Sequence, residues 1–141
     1  MTALSVKQER IAIRGGIDDL ENAMMQMEQV SIKPVHYFAE GVYAREIFIP
    51  KGTVLTGKIH KTGHLNIISK GSIRVVTESG AHEIKAPHTM ISLPGTKRAG
   101  YTLEDTVWTT IHATTETDLD KLEDELIAPT FDALENTICL G

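Results

Sequence analysis

The sequence has almost no cysteine: Cys139 is the one thiol in 141 residues. A lone thiol closes no internal disulfide and builds no cysteine zinc site, so Cys139 reads as incidental. No apolar run approaches the ~20 residues that a membrane-spanning helix needs. The opening Met-Thr-Ala-Leu-Ser-Val-Lys-Gln-Glu has no signal-peptide pattern. The expected location is the cytoplasm, with no membrane partner. Positive charge is also short: 14 Lys and Arg stand against 19 Asp and Glu, for a net charge of −5. That balance excludes a general binder of long nucleic acid or anionic membrane. Any cationic cluster must be local, set in an acidic body. There is no internal repeat and no low-complexity segment.

What is present reads as one soluble domain, 41% hydrophobic and 23% charged. Residues 1–34 form an N-terminal arm and helix. The arm, 1–16, has no clear period and ends in Gly15-Gly16. Ile17, Leu20, Met24 and Met27 then repeat at helical spacing, which predicts a helix over 17–29 with Asp18, Asp19 and Glu21 in its first turn. Its methionines, Met25 included, read as packing against the body or a second copy. Residues 35–113 are short segments rich in Val, Ile and Thr between Gly and Pro breaks, with strands expected at 35–38, 42–49, 54–60, 65–70, 72–77, 82–86, 89–93, 98–102 and 106–113. Such spacing points to an antiparallel sandwich or small barrel. Thr77-Glu78-Ser79-Gly80 reads as a hairpin turn. Residues 114–141 return to helix over 115–127, capped by Asp118, with Leu119, Leu122, Leu126 and Ile127 in one stripe and a solvated acidic face of Asp120, Glu123, Asp124 and Glu125. Pro129 stops it, and Phe131, Leu134 and Ile138 could dock a short tail helix.

The chemistry concentrates in residues 52–71, GTVLTGKIHKTGHLNIISKG. Lys58 and His60 alternate with Ile59, which on a strand puts both on one face, about 6.6 Å apart. A break at Lys61-Thr62-Gly63 leads to His64 and a second apolar run. The spacing resembles the first cupin motif: Gly52 and Gly71 match its ends, Lys58 stands at its first His, His60 at its second, and His64 at its Glu. Leu93-Pro94-Gly95-Thr96-Lys97-Arg98 resembles the second motif, shortened by one residue, with Arg98 at the His position. The likeness is closest to small single-domain cupin-like proteins of tailed bacteriophages, through Gly57–Thr62, Pro94–Arg98 and Asp105–His112. It implies an all-β jelly-roll barrel, cupin-like, with flanking N- and C-terminal helices.

The usual cupin site holds a divalent metal with three histidines and a carboxylate, but here those positions carry Lys58, His60, His64 and Arg98. Two cations replace ligands, so the expected cofactor is none; if a metal is held, His60, His64 and His112 are the set, or His36 or His88 completes another. The same residues suit an anion. Arg98 offers a planar fork and Lys58 a point charge. Two imidazoles titrating near neutrality supply a base and an acid. The candidate catalytic residues are therefore His60, His64 and Lys58, and the candidate ligand-binding residues Arg98, Lys97, Tyr101, Trp108 and His112. Along 106–112, Trp108, Thr110 and His112 share one face. Facing the barrel interior, Trp108 stacks on a base; facing outward, it packs on a helix or partner. His82 and His88 read as surface histidines, and Arg98 has an alternative partner in Glu46.

These residues lead to an enzyme that cleaves a small phosphorylated ligand, such as a cyclic nucleotide phosphodiester, without metal. The phage resemblance implies a setting in which host nucleotide-signalling immunity is countered. The alternatives are a sponge that sequesters the ligand, or a metal-dependent cupin enzyme acting on a sugar or small organic acid. Cupins commonly pair, so a homo-oligomer is expected.

Overall fold

The computed structural model describes residues 6–25, 30–77 and 80–128, and side chains from residue 15 onward. Met27, the Glu78-Ser79 turn and everything from Pro129, including Phe131 and Cys139, lie outside the described residues. Helix α1 (Val6–Met24) is followed by β1 (Val35–Ala39), β2 (Val42–Ile49), β3 (Val54–Thr56), β4 (Ile59–His60), β5 (His64–Lys70), β6 (Ser72–Thr77), β7 (Gly80–Lys85), β8 (His88–Ser92), β9 (Ala99–Thr102) and β10 (Thr106–Ala113). Helix α2 (Leu119–Leu126) and the short β11 (Ile127–Ala128) follow.

Two antiparallel sheets face each other, ordered β1-β2-β10-β5-β8 and β3-β9-β6-β7, and β4 pairs with β11. The register decides what shares the inner face. Trp108 pairs with Ile47 and Ile68, Thr110 with Arg45 and Asn66, and His112 with Tyr43. Directly opposed residues of an antiparallel pair point to the same side. The inner face is therefore apolar toward one end of β10 and polar toward the other. Ile49, Ile68, Ile73, Val75, Ile84 and Trp108 make the core at the apolar end. At the polar end, Tyr43 packs on Leu122 and Leu126 of α2.

Three expectations are corrected. Residues 6–16 are not a loose arm but the first part of α1. Glycine in a helix costs about 1 kcal/mol relative to alanine but does not forbid it, and α1 is docked by tertiary contacts. Ile17 is buried, and Glu21 accepts a 2.6 Å hydrogen bond from Thr56. Second, the strand expected over 54–60 is broken at Gly57-Lys58 into β3 and β4. Third, α2 is shorter than 115–127. Before it, the Asp118 amide donates to Glu116. Asp118 then caps the helix by accepting from the amides of Asp120 and Lys121 at 3.0 and 3.1 Å, and Ile127 leaves it to pair with His60.

Lys97 belongs to this scaffold. It is 7% exposed, and its ammonium lies 3.3 Å from Asp18 and 3.2 Å from Glu21, holding α1 to the barrel. A long buried cation needs such partners. Lys97→Ala is expected to free the N-terminal helix, read as faster limited proteolysis within residues 6–25 while the barrel fragment persists; unchanged cleavage would count against the clamp.

Gly71, which closes the 52–71 stretch, has φ +93°, and a Cβ there would strike the Asp105 carbonyl and sit 2.6 Å from Thr106 Oγ1. Both the backbone conformation and the space demand glycine. Gly71→Ala is expected to cost at least about 2 kcal/mol, measured by denaturant unfolding; a loss under half that would refute the packing argument.

Candidate functional site

Three histidines meet at the polar end. His64 comes from β5, opposite Ser92 of β8. His112 comes from β10. His60 is delivered by β4, whose position is set on both sides: Lys61 N–H donates to the Leu126 carbonyl at 2.7 Å, and Gly95 N–H donates to the His60 carbonyl at 2.9 Å. The Pro94-Gly95 turn thus braces a histidine rather than supplying one. The ring centroids are 4.2 Å apart for His60–His64, 4.7 Å for His64–His112 and 5.2 Å for His60–His112. Tyr43 continues the cluster, 6.0 Å from His112, and shares a 2.7 Å hydrogen bond with His36 Nδ1.

A second network positions the guanidinium. Trp108 Nε1–H donates to Asn66 Oδ1 at 3.0 Å, Asn66 Nδ2–H donates to Ser92 Oγ at 2.7 Å, and Arg98 Nη2–H donates to the same oxygen at 2.6 Å. Arg98 also lies 5.8 Å over the Trp108 ring, a cation–π distance. Trp108 therefore faces inward and is both core and cavity wall. Arg98 is held by Ser92, not by Glu46.

Apart from Ser92, which stands behind Arg98, these groups line a cavity of about 420 Å³, within the size range of small-molecule sites. Ile47, Ile49, Leu55, Ile73 and Val75 form its apolar end, and Leu122 and Leu126 of α2 help wall the polar end. Of the charged side chains in its lining, Arg45, Lys58 and Arg98 are cations and Glu123 is the one carboxylate. Such an excess, in a chain of net charge −5, is a local device. His112 Nδ1 is buried with no hydrogen-bond partner. A buried polar atom left unpaired costs about 1–3 kcal/mol, which a ligand atom can recover.

Burial pushes His60 down to about 3, with His64, His112 and Arg98 adding to the effect. Burial, then His64 and Arg45, take His112 to about 4. Burial also lowers His64, and Arg98 adds to this. All three rings are therefore neutral at pH 7. This corrects the expectation of one neutral and one protonated imidazole in the free protein. Desolvation disfavours the charged form, and each ring would repel a charged neighbour.

The other expected site residues divide. Lys58 is at the cavity rim, its side chain 63% exposed and 2.6 Å from Glu123; it does not stand beside His60, because residues 57–58 are not in a strand. Glu123 is thereby drawn from the solvated face to the rim. Lys97 is the clamp on α1, and Tyr101 is exposed on β9; neither lines the cavity. His82 and His88 are exposed. Tyr43, Arg45, Asn66 and Ser92 were not singled out from the sequence. The signal for Arg45 was available: in 42–49 it falls in the same alternation as Tyr43, Ile47 and Ile49, a cation in an apolar row.

The metal implied by the cupin motif does not fit these donors. Lys58 and Arg98 have no lone pair to give at neutral pH. Among the described residues, no group of three or more His, Cys, Asp or Glu is placed to hold an ion.

No family model and no curated protein matches the sequence. Solved structures do. KdgF from a Halomonas species superposes with a TM-score of 0.52 at 14% identity, covering 64% of this chain and 86% of its own. The cupin domain of Schizosaccharomyces pombe Cnp3 gives a TM-score of 0.51 at 17% identity, covering 72% of this chain and 71% of its own. At such identities the likeness concerns the fold. The two facing antiparallel sheets and these superpositions together give this chain the jelly-roll fold of the cupins.

Proposed function

We propose that the barrel binds a small phosphorylated ligand, a nucleotide bearing a phosphodiester, and cleaves it without a metal. The observation that carries this reading is the arrangement of three neutral imidazoles with Arg45 and Arg98 in a cavity whose single carboxylate, Glu123, is already paired with Lys58. Arg98, fixed by Ser92 and Trp108, presents its remaining N–H groups as a fork for phosphate oxygens. The apolar end and the Trp108 ring suit a base or sugar.

An arriving phosphate changes the protonation balance. Its negative charge favours the imidazolium form that burial disfavours. One histidine of the cluster then takes a proton from solvent, while its neighbour stays neutral. The neutral ring removes the proton of a ribose 2′-hydroxyl, that oxygen attacks phosphorus, and the imidazolium protonates the leaving oxygen. The guanidiniums hold the charge that builds on the phosphoryl oxygens. The resemblance to phage proteins supports a setting in which host signalling nucleotides are removed.

A second reading, sequestration, is favoured by the same depressed histidines, since the free protein carries no imidazolium ready to act as acid. A metal-dependent enzyme acting on a sugar or organic acid has no suitable donor set among the described residues. The test is incubation with cyclic mono- and dinucleotides in EDTA, followed by chromatography before and after denaturing the protein. New product peaks are expected. Ligand depletion with full recovery on denaturation would establish trapping instead, and no depletion at all would sink both readings.

A further inference from the structure

Arg45 is the cation in the cavity that the scaffold does not use. It lies in the middle of β2, in the inward row with Tyr43, Ile47 and Ile49, and is half-buried. The other cations discussed have carboxylates: Lys58 has Glu123, Arg74 has Glu83, and Lys97 has Asp18 and Glu21. Arg98 has Ser92 and the Trp108 face. Among the described residues, the Arg45 guanidinium has no ion-pair or hydrogen-bond partner. A guanidinium that lines a cavity without an acceptor from the protein is free to take one from a ligand.

Its place relative to Arg98 is informative. Arg98 is anchored at Ser92 on β8, the edge strand of the sheet. Arg45 is on β2, with β10 and β5 between them. Three strand spacings put these backbones roughly 14 Å apart along the sheet. The two cations also act on different members of the cluster: Arg98 on His60 and His64, Arg45 on His112 and Tyr43. The histidines thus lie between two guanidiniums, and His112, whose Nδ1 has no partner, is the ring that Arg45 acts on.

From this arrangement we infer that the ligand carries two separate phosphoryl groups on a nucleotide-sized frame, one held at Arg98 and the other at Arg45. This rests on the reading of the cavity as an anion site and narrows it to a class: bis-phosphorylated nucleosides and cyclic dinucleotides each carry two separate anions, whereas a nucleoside monophosphate fills one cation and leaves the other bare.

The probes are adenosine 5′-monophosphate and adenosine 3′,5′-bisphosphate, which differ by one phosphoryl group, titrated calorimetrically into the full chain. The bisphosphate is expected to bind at least tenfold tighter. Arg45→Gln is expected to erase that ratio, and Arg45→Lys, which keeps the charge but not the fork, to restore part of it. Equal affinities in the unaltered protein, a comparison that needs no variant to fold, would overturn the two-anion inference while leaving a single-anion site in place. A tenfold ratio that survives Arg45→Gln would overturn the assignment of the second group to Arg45. If neither nucleotide binds, the anion reading of the cavity fails, and this inference with it.

Discussion

Replacing His60 and His64 together by alanine is expected to lower phosphodiester turnover by ~10²–10⁴-fold, the usual contribution of positioned acid–base groups. The two rings are 4.2 Å apart and each lies about 5 Å from His112, so proton acceptor and donor belong to one cluster. Groups that act as a unit lose most of their effect when either is removed. His60→Ala and His64→Ala alone should therefore each cost nearly as much as the pair. The fold should persist. His60 sits in a two-residue strand whose ladder and braces are backbone hydrogen bonds, and truncating His64 enlarges an existing cavity rather than opening one in close-packed core. Thermal melts of the variants check this. Turnover within a few-fold of the unaltered protein in both single variants would remove these histidines from the mechanism, whatever ligand is used.

Acid lability is the second large expected effect. A histidine whose folded-state pKa is lowered is protonated more readily in the unfolded chain. The unfolded state then binds more protons in the window between the two pKa values, and stability rises with pH across it. The contribution is fully present above 6.5 and is lost as pH falls toward about 3 for His60 and about 4 for His112. At pH 5, one and a half units below 6.5, each of the two subtracts about 2 kcal/mol, and His64, also lowered, adds to the loss. About 4 kcal/mol is a large part of the 5–15 kcal/mol that folded domains typically have. Denaturant unfolding should give a plateau above about pH 7 and a steep fall between pH 6.5 and 4. Saturating phosphate ligand should flatten the fall, because it restores a partner to the charged rings. A flat profile from pH 7 to 4.5 would contradict the burial of the cluster.

The strands were legible because their cues are local. Strands 42–49, 72–77 and 106–113 carry β-branched residues between glycine and turn breaks, and the structure has them at those bounds. The Asp118 cap was legible for the same reason: an acidic residue before a helical stripe accepts from amides two and three positions on. The Gly15-Gly16 pair misled, because a glycine's helix cost is small beside the docking of Ile17, Glu21 and Lys97, which involves residues up to 79 positions apart.

By itself the sequence determined the jelly-roll strands and the flanking helices, since alternation, turn residues and caps are local cues. Only the tertiary structure decided which candidates meet. Alternation says that Trp108 and His112 share a face but not that this face is the inner one. The register of β10 against β2 and β5 settled that, and with it brought Tyr43, Arg45 and Asn66 to the cavity. The same packing turned Lys58 to Glu123 and Lys97 to α1. A cation's role depends on which carboxylate or cavity lies within reach of its flexible arm, and that is set by segments distant in the chain.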